Sequence, residues 1–159
     1  MSGVLVGRHK RLSFMKVGET YQRMTKFTQL STSKSAIEYS RHYVDMSTES
    51  TDVVGYSTAI GYSFDRHTDT PVHERLAKIS DDELMGTEAR VEIVTVDLFD
   101  GDSDSGYAAR HREYSVVPDA DGDGTDALIY SGNFRSVSEI KMGTATSNDG
   151  FETITFVED

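Results

Sequence analysis

The sequence contains no cysteine, which excludes disulfides, thiolate metal ligands and a cysteine nucleophile. It also lacks any apolar run near the roughly 20 residues that a membrane-spanning helix needs, so we expect no membrane partner. Its start, MSGVLVGRHKRLSF, places basic residues after a very short apolar run, which is the reverse of a signal peptide. These absences predict a protein that is synthesised in the cytoplasm.

Basic residues are scarce, with 16 Lys and Arg against 27 Asp and Glu and a net charge of -11. Because affinity for phosphate comes from Lys and Arg, this balance argues against a protein that grips nucleic acid. It is compatible with a surface that nucleic acid passes without sticking. The hydrophobic content of 36% is low for a self-sufficient monomer, which leaves room for neighbouring subunits to complete part of the core.

A long β-hairpin is predicted between residues 36 and 66, with strands at 37–44 and 53–64. The second strand alternates strictly, which is typical of a half-buried strand, and it exceeds the usual length of about five or six residues. Val54 and Thr58 share one parity with four large residues, which we expect to face the subunit's own core: Tyr56, Ile60, Tyr62 and Phe64. The opposite face carries small residues: Gly55, Ser57, Ala59, Gly61 and Ser63.

One helix is predicted near residues 71–80. Asp69 and Thr70 precede Pro71, which combines capping side chains with proline in the first turn. An apolar stripe at helical spacing follows, formed by Val72, Leu76 and Ile79. This helix is expected to cover one face or end of the sheet.

The other segments predict strands, at 20–31 with a bulge, 88–99, 107–117, 127–137 and 151–157. In the strand at 88–99, apolar residues lie on both parities, which indicates either burial on both faces or a bulge at Ile93 and Val94. Polar turns are expected at 31–35, 100–106 and 118–126. Residues 1–19 are expected to form an arm that is frayed or, by slight preference, docked on another subunit. The chain, residues 1–159, is thus predicted to be one mainly β domain, an antiparallel sandwich or split barrel with one flanking helix.

The sharpest candidate for metal binding is the acidic run Asp119, Asp121 and Asp123. Its spacing, with Gly124 at the sixth place, is that of a calcium loop, but Tyr130 stands where a bidentate Glu is expected. An acidic hairpin turn is therefore the favoured interpretation, and we expect neither metal nor cofactor.

Catalytic motifs are lacking as well. His67 and His73 do not have the i, i+4 spacing of a helical metal pair, and a polar helix start explains them. No Gly-x-Ser-x-Gly elbow or P-loop occurs. The basic cluster Arg110 to Arg112 alternates across a predicted strand, which favours a salt-bridged surface or subunit contact. We therefore expect a protein that is not an enzyme.

Six sequence blocks follow one another between residues 20 and 74: TYQRM at 20–24, LSTSK at 30–34, EYSRHYVD at 38–45, TDVVGYS at 51–57, GYSFD at 61–65 and PVHE at 71–74. In their order and spacing these blocks resemble the major tail tube protein of bacteriophages or phage-like particles of Gram-positive bacteria. The resemblance implies a β-sandwich or split barrel that assembles into hexameric rings, which stack into a hollow tail tube. Long strands would line the lumen, through which DNA passes during ejection, and terminator, tape measure and baseplate or tip proteins would be partners.

Two sets of residues then acquire expected roles. The small face of the second strand would line an acidic lumen that repels phosphate. The hairpin connection would contact the next ring, with the arm at residues 1–19, through Asp45, Met46, Thr48, Glu49, Thr51 and Asp52. The competing interpretations are a monomeric β-sandwich that binds calcium or carbohydrate, and an unrecognised enzyme.

Overall fold

The computed structural model describes residues 3–122 and 125–159, and within them the protein is mainly β. One α-helix, α1, spans Pro71–Asp81, and short 3-10 helices span Arg8–Lys10 and Gly86–Ala89. The strands described are β1 Arg11–Val17, β2 Thr20–Arg23, β3 Phe27–Arg41, β4 Ser50–Asp65, β5 Arg90–Asp102, β6 Gly106–Asp121, β7 Ile129–Ser136, β8 Lys141–Thr146 and β9 Thr153–Glu158. No helix in the described part of the chain is both long and apolar enough to cross a membrane.

Six of the strands close into an antiparallel barrel. They follow the order β6-β5-β1-β2-β9-β8, and β8 returns to pair with β6. Closure gives each of these strands a neighbour on both sides and so removes the exposed edges of an open sheet. Beyond β6 the same sheet continues outward as β7, β4 and β3. The predicted fold class, a mainly β barrel or sandwich with one helix and a long hairpin, is confirmed.

Two apolar cores lie on opposite sides of the barrel wall. The first fills the barrel and contains Phe14, Val94, Val96, Ala109, Ala145 and Ile154. The second lies between the outside of the wall, the extended sheet and α1, whose predicted stripe of Val72, Leu76 and Ile79 is fully buried. β5 serves both, since Ile93 belongs to the outer core and Val94 to the inner one. Its pairing with β6 is regular from Arg90 to Asp97, so burial on both faces is confirmed and the bulge is wrong.

Aromatic rings dominate the outer core. Tyr62 stacks on Phe134 with ring centroids 4.5 Å apart, and Phe64 stacks on Tyr130 at 5.5 Å. Gly132 makes room for this packing, because a Cβ there would lie 2.8 Å from the Tyr62 hydroxyl. Strands β4 and β7 are therefore held together by aromatic side chains as well as by backbone hydrogen bonds.

The predicted arm at residues 1–19 is wrong beyond Lys10. β1 pairs with β5 from Arg11 to Met15, and Phe14 and Met15 are fully buried. Because these two neighbours point to opposite faces of the strand, one enters each core. A short strand buried on both faces shows little alternation, which is why its sequence resembled an arm.

Three predicted turns and one predicted strand also differ from the structure. The serines at 31–35 lie inside β3, where they need no apolar pattern because this edge strand is exposed. β5 and β6 extend through 100–102 and 118–121, and the Asp102 carboxylate orders the tip of their hairpin by accepting the backbone N–H groups of Asp104 and Ser105. The predicted strand at 20–31 is two strands, separated at Lys26, whose φ is 61°. β8 has no counterpart among the predicted elements.

Candidate assembly surface

The β3–β4 hairpin projects beyond the rest of the sheet. Its strands pair from Phe27 and Phe64 at the base to Arg41 and Ser50 at the far end, whereas β7 covers β4 only from Ala59 to Asp65. We call residues 33–57 the distal hairpin. Apart from Ser50 and Gly55, which are half-buried, its residues are exposed. A two-stranded ribbon of this kind is marginally stable in water without further contacts.

Apolar side chains are numerous on this exposed ribbon. Val54 is 63% exposed and Tyr56 is 58% exposed. The other large apolar residues of the ribbon that are exposed are Ile37, Tyr39, Tyr43, Val44, Met46 and Val53. So many exposed apolar side chains on one segment are typical of a site of contact with another molecule.

Both strands of the distal hairpin also carry unpaired edges. Within the described residues, β3 ends the sheet and has a neighbour on one side only. β4 pairs with β3 alone from Ser50 to Thr58. Such rows of free backbone N–H and C=O groups are templates for pairing with another chain.

Burial of the large face of β4 changes partway along the strand. Ile60, Tyr62 and Phe64 face the outer core as predicted. The prediction is wrong for Tyr56, which has the same parity but lies beyond the end of β7, and Val54 is exposed for the same reason. Alternation therefore sets the face of a residue, and the length of the neighbouring strand decides whether that face is covered.

The small face of β4 is part of a wider surface, which we call the serine face. Residues directly opposite each other in an antiparallel sheet share a face, so the register extends it over β3, β7 and β6. It consists of three rows: Ser33, Ala59, Arg135 and Ser115; Ser31, Gly61, Asn133 and Val117; and Gln29, Ser63, Ser131 and Ala120. These positions are exposed or half-buried, so the face is open.

The charge of the serine face differs from that of the whole chain. Arg135 is the one charged residue among these positions, and none of them is a carboxylate. The rest offer hydroxyl and amide groups or small apolar side chains. These twelve positions therefore do not supply the acidic character expected of a lumen wall, and the acidic lumen stays a prediction.

The far end of the hairpin forms an ordered turn. The Met46 N–H donates to the Tyr43 carbonyl at 3.1 Å, and a His42 ring nitrogen lies 2.7 Å from the Met46 carbonyl oxygen. Of the predicted ring-contact residues, Asp45, Met46, Thr48 and Glu49 lie in this connection, and Thr51 and Asp52 begin β4. The structure thus brings all of them together at the most distant point of the hairpin.

The base of the hairpin is held by a histidine of α1. His73 is fully buried. Its Nδ1 accepts the backbone N–H of His67 at 3.0 Å, and its Nε2 lies 2.8 Å from the Thr25 carbonyl oxygen. Burial lowers the pKa of His73. His73 lies in the first turn of α1, as predicted, but its ring is buried instead of contributing a polar surface, and the sequence carries no signal of which backbone groups it contacts.

Charged residues also stabilise the barrel wall. The buried Asp97 carboxylate accepts hydrogen bonds from Arg11 at 2.6 Å and Arg110 at 2.9 Å. Burial alone would raise the pKa of Asp97, but the hydrogen bonds and charges of the two arginines outweigh it and lower that pKa. Arg110 is therefore salt-bridged as predicted for the cluster, whereas His111 turns into the barrel and contacts Glu92 at 2.9 Å.

Asp119 and Asp121 lie near the end of β6, where Asp121 pairs with Tyr130 and Asp119 lies at the register shift between Pro118 and Ala120. Asp123 lies outside the described residues, so the calcium hypothesis stays a prediction. In the described ranges no three metal-binding side chains cluster. Burial raises the pKa of Tyr62 to about 12, with a further contribution from the charge of Asp119.

No family model and no curated protein matches this sequence. Solved structures share its fold at low identity. A chain in the virion of a native gene transfer agent particle aligns with a TM-score of 0.61 at 12% identity, covering 87% of this chain and 98% of that one. A chain of the anti-feeding prophage baseplate, from a six-fold symmetrised structure, aligns with a TM-score of 0.55 at 13% identity, covering 89% and 97%. A chain in the tail of the empty gene transfer agent particle, refined with C6 symmetry, aligns with a TM-score of 0.55 at 13% identity, covering 86% and 97%.

Proposed function

We propose that this protein is a structural, non-enzymatic subunit of the tail tube of a phage or phage-like particle. The observation that carries the proposal is the distal hairpin, whose two edges are unpaired and whose apolar residues are exposed. An isolated ribbon with these properties gains stability when neighbouring subunits cover it. A subunit of a repeating assembly meets that requirement through contacts with its own copies.

Pairing between neighbours would use the two free edges. The outer edge of β3 in one subunit pairs with residues 50–58 of β4 in the next, and the repeat of this unequal contact closes a ring. Ring closure leaves no open edge, just as closure of the barrel does within the subunit. The neighbour would also cover Tyr56 and Val54. A ring of six is supported by the six-fold symmetry of the assemblies in which the fold occurs.

The serine face would line the lumen. Hydroxyl and amide groups keep water at the wall, and a wall without dense positive charge gives passing DNA no array of phosphate contacts. DNA would then pass because the wall does not attract its phosphates, and not because acidic residues repel them. The lumen candidates from β4 are those predicted: Ala59, Gly61 and Ser63 on the serine face, and Gly55 and Ser57 of the same parity on the distal hairpin.

Contacts between stacked rings are assigned to the hairpin connection and to the residues before β1. Exposed Val4 and Leu5 supply apolar surface in that segment. In the virion tail, assembled in the host cytoplasm, the end rings would meet the tape measure, terminator and baseplate or tip proteins. Because β1 belongs to the barrel, a test of the segment must remove residues 1–10 and not 1–19. Tubes of unchanged length and yield from that deletion would contradict the role.

Electron microscopy of the purified protein tests the central proposal. We expect rings or tubes from the native chain. A variant in which Asn-Gly replaces residues 35–57 joins the directly paired Lys34 and Thr58 by a two-residue turn. It should keep a β-type circular dichroism spectrum, reduced by the deleted strand residues, with a cooperative unfolding transition, and it should form no rings. Rings from this variant, or none from the native chain at any concentration, would overturn the proposal, and a map with β4 away from the lumen wall would overturn the lumen assignment.

A further inference from the structure

We propose that His73 is the positioning residue that sets the direction of the β3–β4 hairpin relative to the barrel. One imidazole ring hydrogen-bonds to the chain on both sides of the hairpin. Thr25 precedes the first residue of β3, Phe27, and His67 follows the last residue of β4, Asp65.

The hydrogen bonds define which nitrogen carries the proton. Nδ1 receives a hydrogen bond from the His67 N–H, so it presents a lone pair, and Nε2 must then donate its hydrogen to the Thr25 carbonyl. The ring is therefore neutral. Both partners are backbone groups, so the two hydrogen bonds restrain the path of the main chain at Thr25 and at His67.

Packing holds the ring itself in place. Phe64 stacks on it at 4.5 Å and Phe27 meets it edge-on at 5.7 Å. These two residues are opposite each other at the base of the hairpin. The same imidazole thus fixes the backbone at both ends and the side chains of the first cross-strand pair.

The ionisable groups that act on the ring come from the end of β4 and the segment after it. Asp65 favours the protonated ring, whereas Arg66 and His67 disfavour it. β3 contributes the uncharged ring of Phe27 and the carbonyl that precedes it. With a base fixed in this way, a small rotation there becomes a large displacement of the distal hairpin, which extends to Arg41 and Ser50.

Distances between paired spin labels test the role in the subunit itself. Because the chain has no cysteine, labels attach only where Cys is introduced. One pair joins Ser35→Cys on the distal hairpin to Ser103→Cys on the barrel, and a second pair joins Ser103→Cys to Asn148→Cys within the barrel; all three positions are exposed. Labelled protein is diluted in unlabelled protein so that only distances within one chain are measured.

His73→Leu removes both hydrogen bonds, His73→Asn keeps an acceptor near Nδ1, and His73→Gln keeps a donor near Nε2. We expect the hairpin distance distribution to broaden most in His73→Leu and less in the other two, while the barrel distance stays narrow in all. His67→Gln, which keeps its backbone N–H, is the matched control and should match the native protein. A native distribution in His73→Leu, or equal broadening in His67→Gln, would overturn the proposal.

Imidazole nitrogen NMR of the native protein provides a second test that needs no variant. We expect His73 to carry its proton on Nε2 with Nδ1 unprotonated at about pH 7, in the range where an ordinary histidine titrates. A proton on Nδ1 in the neutral ring would contradict the two hydrogen bonds and with them the role. The inference that hairpin direction matters for ring closure rests on the proposed function, but both measurements concern the subunit, so either hypothesis can fail without the other.

Discussion

The closed barrel and the distal hairpin are built from the same kind of strand but differ in what covers them. Barrel strands have neighbours on both edges and apolar cores on both sides of the wall. The distal hairpin has free edges and exposed faces. Tyr62 and Tyr56 show the contrast within β4, since they share a face but are 2% and 58% exposed. An alternating pattern therefore indicates which face of a strand can be buried, but it does not indicate whether the same chain or another chain covers that face.

Truncation of Tyr62 gives the largest expected effect and tests the buried side of this comparison, the outer core between β4, β7 and α1. The ring is buried against Phe134 and Phe64 in the outer core. Tyr62→Ala should lower the free energy of unfolding by about 3–5 kcal/mol, the usual cost of removing a buried aromatic ring. Chemical denaturation monitored by circular dichroism measures it. A loss of less than about 1 kcal/mol would mean that the site is not a packed core.

Asp97 should contribute less, because its two arginines are partly exposed to solvent. Asp97→Asn leaves Arg11 and Arg110 facing an amide and should cost about 1–3 kcal/mol near neutral pH. Since the pKa of Asp97 is lowered in the folded protein, its contribution is complete above the unfolded value of about 3.9 and is lost as pH falls through the folded value.

The difference in unfolding free energy between native protein and Asp97→Asn should therefore shrink in acid. Asp100→Asn, at an exposed position of the same strand, is the matched control and should have little effect at any pH. A difference that stays constant from neutral to acidic pH would argue that the amide changes packing and not charge.

His73 should produce a smaller effect, visible as a pH dependence of stability. The pKa of His73 is lowered in the folded protein. Between the folded and unfolded pKa values, the imidazole is therefore protonated in the unfolded chain and neutral in the folded protein. Stability should be highest above the unfolded value of about 6.5 and fall as pH drops from there to the folded value. His73→Gln should remove this part of the profile, and His67→Gln should retain it. Equal profiles for native protein and His73→Gln would contradict the assignment.

The parts of the fold that sequence predicts are those in which the chain completes its own core. The helix from Pro71, with its stripe of Val72, Leu76 and Ile79, follows from local spacing alone. β1 was missed because Phe14 and Met15 supply opposite cores and leave no alternation to detect. The serines of β3 predict a turn because an exposed edge strand carries no apolar pattern of its own.

The sequence predicts which residues of β4 lie on the candidate surface, but it does not predict which residues of the neighbouring strands lie beside them. Ser57 and Gly61 were identified from parity, but the extension of that face to Asn133 and Arg135 depends on register between strands distant in sequence. His73 could not be assigned from sequence, because its partners are backbone groups. The positions of these backbone groups depend on the whole fold, and the residue types at Thr25 and His67 do not indicate that their backbone groups contact His73.

Truncation of Tyr56 should have the smallest effect on the stability of the subunit, and it tests most directly whether another chain covers the exposed half of β4. Because the side chain is exposed, Tyr56→Ala should change the free energy of unfolding of the unassembled subunit by less than about 0.5 kcal/mol. If a neighbour covers this face in a ring, the same substitution removes apolar contact from every interface and should raise the concentration at which rings appear in electron micrographs and sedimentation. Tyr62→Ala reverses the two effects, since it weakens the fold of the subunit first. Should Tyr56→Ala instead destabilise the subunit and leave ring formation at its native concentration, the exposed half of β4 would belong to the chain's own core, and the contrast between the two regions would be lost.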